Sequence, residues 1–175
     1  MTAFGALFDR VRETAPLVHC ISNLVSANDC ANIVLAAGAS PIMADDPEEV
    51  EEITALSRAL CLSLGTPNHR KAEAMVKAGR TAARLGLPVV FDPVGVGASQ
   101  FRRDIAAEVL REVPVTVLRC NASELQALSG LAQVSRGVDA GKTLPPEALR
   151  PLAEQFAAQH HCVAAVTGAE DIVTD

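Results

Sequence analysis

Three polar words interrupt an otherwise aliphatic sequence: Asp92-Pro93-Val94-Gly95-Val96-Gly97, Arg119-Cys120-Asn121-Ala122-Ser123-Glu124 and Thr167-Gly168. Their residue types suit phosphoryl transfer. A carboxylate such as Asp92 can hold Mg2+ directly or through water. The Gly95-x-Gly97 loop lets backbone approach a ligand closely. The Arg119 guanidinium can neutralise phosphate oxygens two at a time. Glu124, three residues after Asn121, can steer a metal and its waters, and Thr167-Gly168 offers a hydroxyl beside bare backbone. Each feature also has a plain structural reading. Asn121 with Glu124 makes a good capping box, Asp92-Pro93 a turn, and Arg119 a surface ion pair. Residue by residue both readings stand; what favours chemistry is that one predicted sheet edge gathers them all.

That edge follows from the apolar pattern. Runs at 17–21, 40–43, 59–64, 88–91, 115–118 and 162–166 are mostly continuously apolar, as strands buried on both faces are. Between them lie helical periodicities at 26–37, 47–58, 68–85, 100–112 and 146–160, and a further helix opens at Asn121. Ser26 is a plausible cap; Val50, Ile53 and Leu56 line one helix, and Ala72, Met75, Val76 and Gly79 another. Alternating β and α units predict right-handed crossovers and an α/β fold: a mostly parallel, doubly wound sheet with helices on both faces. In such sheets ligands bind beyond the carboxyl ends of the strands, which is where the polar words fall. The polar segment 135–146 reads as a surface loop between helices. A turn at 168–171 leads into a returning strand at 172–174, and the sequence ends at Asp175. We therefore expect residues 1–175 to be one domain, incomplete at the C-terminus.

Composition excludes several functions. Fifteen Lys and Arg are scattered among 21 Asp and Glu, for a net charge of -6, which is not the clustered basic surface that a phosphate backbone attracts. Aromatic residues make up 3%, with no Trp or Tyr, so there is no stacking platform for single strands. No uncharged apolar run approaches the ~20 residues of a membrane span, and the first residues lack the apolar core of a signal peptide. We expect a cytoplasmic protein with no nucleic-acid or membrane partner. Cys20, Cys30, Cys61, Cys120 and Cys162 show no paired spacing and read as reduced, mostly buried thiols. His19 reads as a satisfied core histidine, His160-His161 as a helix end, and Met43 by type alone as core filler.

The words His19-Cys-Ile-Ser-Asn23, Asn28-Asp-Cys-Ala-Asn32, Gly38-Ala-Ser-Pro-Ile-Met-Ala44, Asp92-Pro-Val-Gly-Val-Gly-Ala98, Arg119-Cys-Asn-Ala-Ser-Glu124, Gly137-Val-Asp139 and Val166-Thr-Gly168 occur in this order. Together they resemble the hydroxyethylthiazole kinases of the ribokinase-like superfamily, over nearly the whole chain. The resemblance implies ATP-dependent phosphorylation, with Mg2+, of the primary alcohol of 4-methyl-5-(2-hydroxyethyl)thiazole in thiamine salvage. It implies that Met43 contacts the thiazole, that Arg119 and Thr167 contact ATP, and that Asp92 and Glu124 flank the metal, Asn121 and Glu124 forming the superfamily's NxxE pattern. Asn23 and Gly65-Thr66 would lie near the thiazole or the nucleotide. It further implies a homotrimer with the thiazole site between subunits.

The sequence departs from that pattern in places. Cys120 replaces a usual Gly, which would tighten the approach to nucleotide, and Ser63 replaces a common Asn. The family's Gly-rich GTGC-like segment, expected to form the anion hole and carry a catalytic Cys, has no counterpart among the 175 residues. The chain by itself is therefore expected to be nearly inactive. Two other readings are a kinase for a pyrimidine or pyridoxal-type alcohol, and a non-catalytic remnant that binds the thiazole.

Overall fold

The structure, a computed structural model, describes residues 3–131 and 144–175. Helix α1 (Ala3–Thr14) leads into β1 (Leu17–Ile21), α2 (Ala27–Ala36), β2 (Ser40–Met43), α3 (Val50–Leu56), β3 (Ala59–Ser63), α4 (His69–Leu85) and β4 (Val89–Asp92). A 3-10 turn (Val96–Ala98), α5 (Gln100–Glu112), β5 (Val117–Asn121), α6 (Ala122–Leu128), α7 (Pro146–His160), β6 (Val163–Thr167) and β7 (Ile172–Thr174) follow. Among the described residues the strands form one sheet in the order β2-β1-β3-β4-β5-β6-β7. All neighbours are parallel except β7, which returns antiparallel beside β6. The predicted α/β architecture is the observed one.

The two faces of the sheet differ. Leu60, Leu62, Val89, Phe91, Leu118, Cys120, Ala164 and Val166 are buried on one face, in a core shared with α4, α5, α6 and α7. Helices α3 to α7 pack in sequence, each against the next. Right-handed crossovers put α2, which joins β1 to β2, on the opposite face. No residue of α2 is buried. Along β3 and β6, buried and half-buried residues alternate. The expectation of strands buried on both faces holds here for one face only.

The predicted boundaries shift for identifiable reasons. The helix expected from Pro47 starts at Val50, because Asp46 Oδ1 first accepts the Glu48 N–H in a turn. On that helix Val50 and Thr54 are buried while Leu56 is 70% exposed, so a spacing of four, not three, sets the inner face. Ser26 stands at the N-cap of α2 without a side-chain capping bond; Asn23 Oδ1 instead accepts from the Val25 and Ser26 N–H groups. Strand β5 runs on to Asn121, beyond the expected end at Leu118, because Arg119 and Asn121 alternate onto the face away from α3–α7. Most of the loop expected at 135–146, with Gly137-Val-Asp139, lies outside the described residues.

Helix α4 matches its predicted limits, with Asn68 accepting from Lys71 N and Gly86 left-handed at its end. It packs tightly because Gly79 has no side chain: a Cβ there would lie 2.2 Å from Val113 Cγ2. Alanine in place of glycine would favour the helix by about 1 kcal/mol, but here the overlap with Val113 outweighs it. Gly79→Ala is expected to lower stability by a net ~1–2 kcal/mol in urea unfolding.

Candidate functional site

The row of polar residues takes shape at the carboxyl ends of β4, β5 and β6. Val90 pairs with Val117 and Phe91 with Leu118, which brings Asp92 beside Arg119. Asn121 pairs with Thr167 on the next strand. By this register Asp92, Arg119, Asn121 and Thr167 all rise on the face opposite α3–α7. Ser63, which replaces the expected Asn, pairs with Asp92 and lies on the same face.

Asp92 Oδ2 accepts from Arg119 Nη1 at 3.2 Å, while its other oxygen, Oδ1, is buried with no hydrogen-bond partner among the described residues. Burial pushes the carboxyl above its ordinary range; the Arg119 charge opposes this and the nearby Glu124 carboxylate adds to it. Arg119 is itself half-exposed, so much of its guanidinium faces solvent above the sheet.

Glu124 is 4% exposed, and both of its oxygens are engaged. Oε1 accepts from Gly95 N at 2.8 Å and Oε2 from Asn121 N at 2.9 Å. Asn121 Oδ1 accepts in return from Glu124 N, closing the capping box that starts α6. The structural reading of this pair is therefore realised, and the same carboxylate also ties the Gly95 loop to the end of β5. Gly95 adopts φ 65°, a left-handed conformation that a glycine takes without strain. Thr167 Oγ1 donates to Cys120 O at 3.3 Å, joining β6 to β5.

These carboxylates fit a hydrated Mg2+ better than an all-protein cage. Among the described residues no three His, Cys, Asp or Glu side chains gather in a metal-binding group. Mg2+ ordinarily keeps several waters and takes one or two carboxylates plus substrate phosphates. The orphaned Asp92 Oδ1 would suit such an ion, and Glu124, with an N–H on each oxygen, has only its remaining lone pairs for waters.

Met43 stands apart. It ends the edge strand β2, three strands from β4, or roughly 14 Å at ~4.8 Å per strand. It is 40% exposed, so it is not core filler. Cys120 is wholly buried with Leu118 on the α3–α7 side, so the expectation that it tightens the nucleotide approach is corrected: it faces away from the site. None of the five thiols is paired. His19 is buried as expected, its Nε2 donating to Ala44 O at 2.8 Å and its Nδ1 2.9 Å from Thr54 Oγ1; burial lowers its pKa.

Two cations were not foreseen. Lys71 Nζ donates to Ser22 O and Gly65 O, and Arg102 Nη1 donates to Leu64 O and Val94 O. Each bridges the exits of two strands. Their only signal in the sequence is position, in the first turn of a helix just after a strand-end loop.

The mostly parallel sheet, with polar and glycine residues gathered at its carboxyl edge, is an open α/β fold of the kind that binds ligands beyond its strand ends. A solved putative ribokinase II from E. coli shares the fold, with a TM-score of 0.54 at 13% identity over 97% of this chain and 66% of that one. The chain belongs to the hydroxyethylthiazole kinase family, whose model matches residues 8–175. It is 48% identical to a hydroxyethylthiazole kinase of Clostridium beijerinckii over 98% of this chain and 63% of that protein. It is 46% identical to one of Haemophilus influenzae over 95% of this chain and 62% of that protein. The solved hydroxyethylthiazole kinase of Pyrococcus horikoshii OT3 superposes with a TM-score of 0.84 at 39% identity, over 97% of this chain and 62% of its own. The chain thus spans somewhat under two thirds of the length of these relatives.

Two outcomes test this geometry. Glu124→Gln replaces one acceptor oxygen by a donor facing a backbone N–H, and is expected to cost about 1–3 kcal/mol in denaturant unfolding. Asp92→Asn, without metal or nucleotide, is expected to leave stability at pH 7 unchanged or higher. The sign follows from the raised pKa. The folded state holds the Asp92 proton longer than the unfolded one, so wild-type stability falls as pH rises through that window. The advantage of Asn should vanish as pH drops below it; an advantage that grows on acidification would contradict the assignment.

Proposed function

We propose that this protein phosphorylates the primary alcohol of 4-methyl-5-(2-hydroxyethyl)thiazole, with ATP as donor and Mg2+ as the metal. The observation that carries the reading is the buried, unpartnered Asp92 Oδ1 beside Arg119 at the carboxyl edge of a hydroxyethylthiazole kinase sheet. Asp92 would hold the ion, and Glu124 would steer its waters while keeping the Gly95 loop in place. A bound Mg2+ supplies charge that offsets the phosphates and lets their oxygens be approached. Arg119 would turn its free N–H groups to the phosphates, and Thr167 with Gly168 would line the nucleotide. Met43, far from this group on its own sheet, suits a thiazole site completed by a neighbouring subunit, as in a homotrimer.

Catalysis in this class rests on positioning and electrostatics rather than on a covalent step. The residues at hand perform the binding part, so binding to the 175-residue chain is the direct test. Calorimetry is expected to detect ATP binding that strengthens with Mg2+. Asp92→Ala should remove that Mg2+ dependence while leaving Mg2+-free ATP binding within about twofold, and Arg119→Met should weaken ATP about 10–100-fold, the worth of a charged hydrogen bond. Unchanged Mg2+ dependence in Asp92→Ala would overturn the metal assignment. Parallel titrations with the thiazole alcohol, a hydroxymethylpyrimidine and pyridoxal identify the alcohol; preference for either of the last two would overturn the substrate.

A further inference from the structure

The sheet reverses its winding between β1 and β3. From β1 the chain steps outward to β2, then crosses back over β1 to β3 and continues the other way. In open α/β sheets the ligand crevice lies beyond the carboxyl ends of the two strands that flank such a reversal. Here those exits are Ser22-Asn23-Leu24 and Leu64-Gly65-Thr66, and they are fitted to each other. A Cβ on Gly65 would come within 2.5 Å of Asn23 Cβ, so only glycine allows the contact. Leu24 N donates to Thr66 Oγ1 at 3.2 Å, and Thr66 is held at φ 47°, in the left-handed region a side-chain-bearing residue seldom adopts.

Beneath this contact lies Lys71, 4% exposed in the first turn of α4. Its ammonium donates to Ser22 O at 2.6 Å and to Gly65 O at 2.8 Å. A buried ammonium is costly unless hydrogen-bonded, and among the described residues no ion pair holds this one. Burial brings its pKa down to about 8; the Asp45 carboxylate, in the loop after β2, opposes this, and the Arg102 guanidinium of α5 adds to it.

We propose that Lys71 is a positioning residue for the alcohol site: its buried ammonium ties the exit of β1 to the exit of β3, so that Asn23 and Gly65-Thr66 form one polar wall toward a small neutral alcohol. The inference rests on the proposed function for the identity of the ligand, and on the two carbonyl bonds for the clamp. The nucleotide residues lie on β4 to β6, with Thr167 three strands or roughly 14 Å beyond β3. Loss of the clamp therefore acts on the alcohol and spares ATP.

The test uses Lys71→Met and Lys71→Gln with calorimetry and amide hydrogen exchange. Thiazole-alcohol affinity is expected to fall at least about tenfold, with MgATP affinity within about twofold; tenfold corresponds to about 1.4 kcal/mol. Exchange should quicken at 22–25 and 64–67 and stay unchanged at 92–97 and 119–124. Unchanged exchange in the two loops overturns the proposal, as does equal loss of both ligands in step with the melting temperature. Absence of thiazole binding by the wild-type chain removes the substrate reading, and exchange alone then upholds or overturns the clamp. Should neither variant fold, the wild-type amides of Asn23 and Thr66, which follow the two carbonyls, are expected to titrate near pH 8. No titration at either amide overturns the clamp.

Discussion

The carboxylate of Glu124 is taken out of water and divided between two loops. One oxygen receives the N–H of Gly95, in the turn after β4, and the other the N–H of Asn121, at the end of β5. A buried carboxylate persists only with such partners, and both partners belong to backbone that carries the site. The bond to Gly95 shapes the exit from Asp92. The bond to Asn121 completes the cap of α6 and ends the strand that bears Arg119. The Glu124 charge also bears on Asp92, raising its pKa alongside burial. Cap, loop shape and local field at Asp92 thus depend on one buried anion.

The same device recurs across the sheet with other chemistry. His19 bonds Ala44 O beyond β2, Lys71 joins the exits of β1 and β3, Arg102 those of β3 and β4, and Thr167 bonds back to β5. Loop backbone at the edge of a parallel sheet has no ladder partner, so its carbonyls and N–H groups need side-chain partners. Supplying them from buried and half-buried residues below the edge leaves the exposed tops of the loops free for ligand. The half-exposed Arg119 and the unpartnered Asp92 Oδ1 are what this arrangement leaves available.

Much of this was legible in the residues. The strands from Leu17, Ser40 and Ala59, and the helix 100–112, appear where the apolar pattern put them, since burial beneath a row of helices demands such runs. The capping box could be read because it is local: Asn121 and Glu124 need only the backbone of one helical turn. Leu56 was misread because a spacing of three drifts around a helix, and only packing against α4 shows which side is inside. Cys120 was misread because the side of the sheet it faces depends on where β5 enters the ladder.

The sequence by itself determined the kind of fold, the polar words at the strand ends and the family to which they belong. All of these rest on local periodicity and on residue order, which a chain carries unfolded. Only the tertiary structure decided that Asp92 keeps one oxygen without a partner among the described residues, that both oxygens of Glu124 are committed, and that Met43 lies strands away from Asp92, Arg119 and Thr167. It also revealed Lys71 as a buried bridge rather than another solvated lysine. These follow from strand order, register and burial, which are set by contacts between residues distant in the chain.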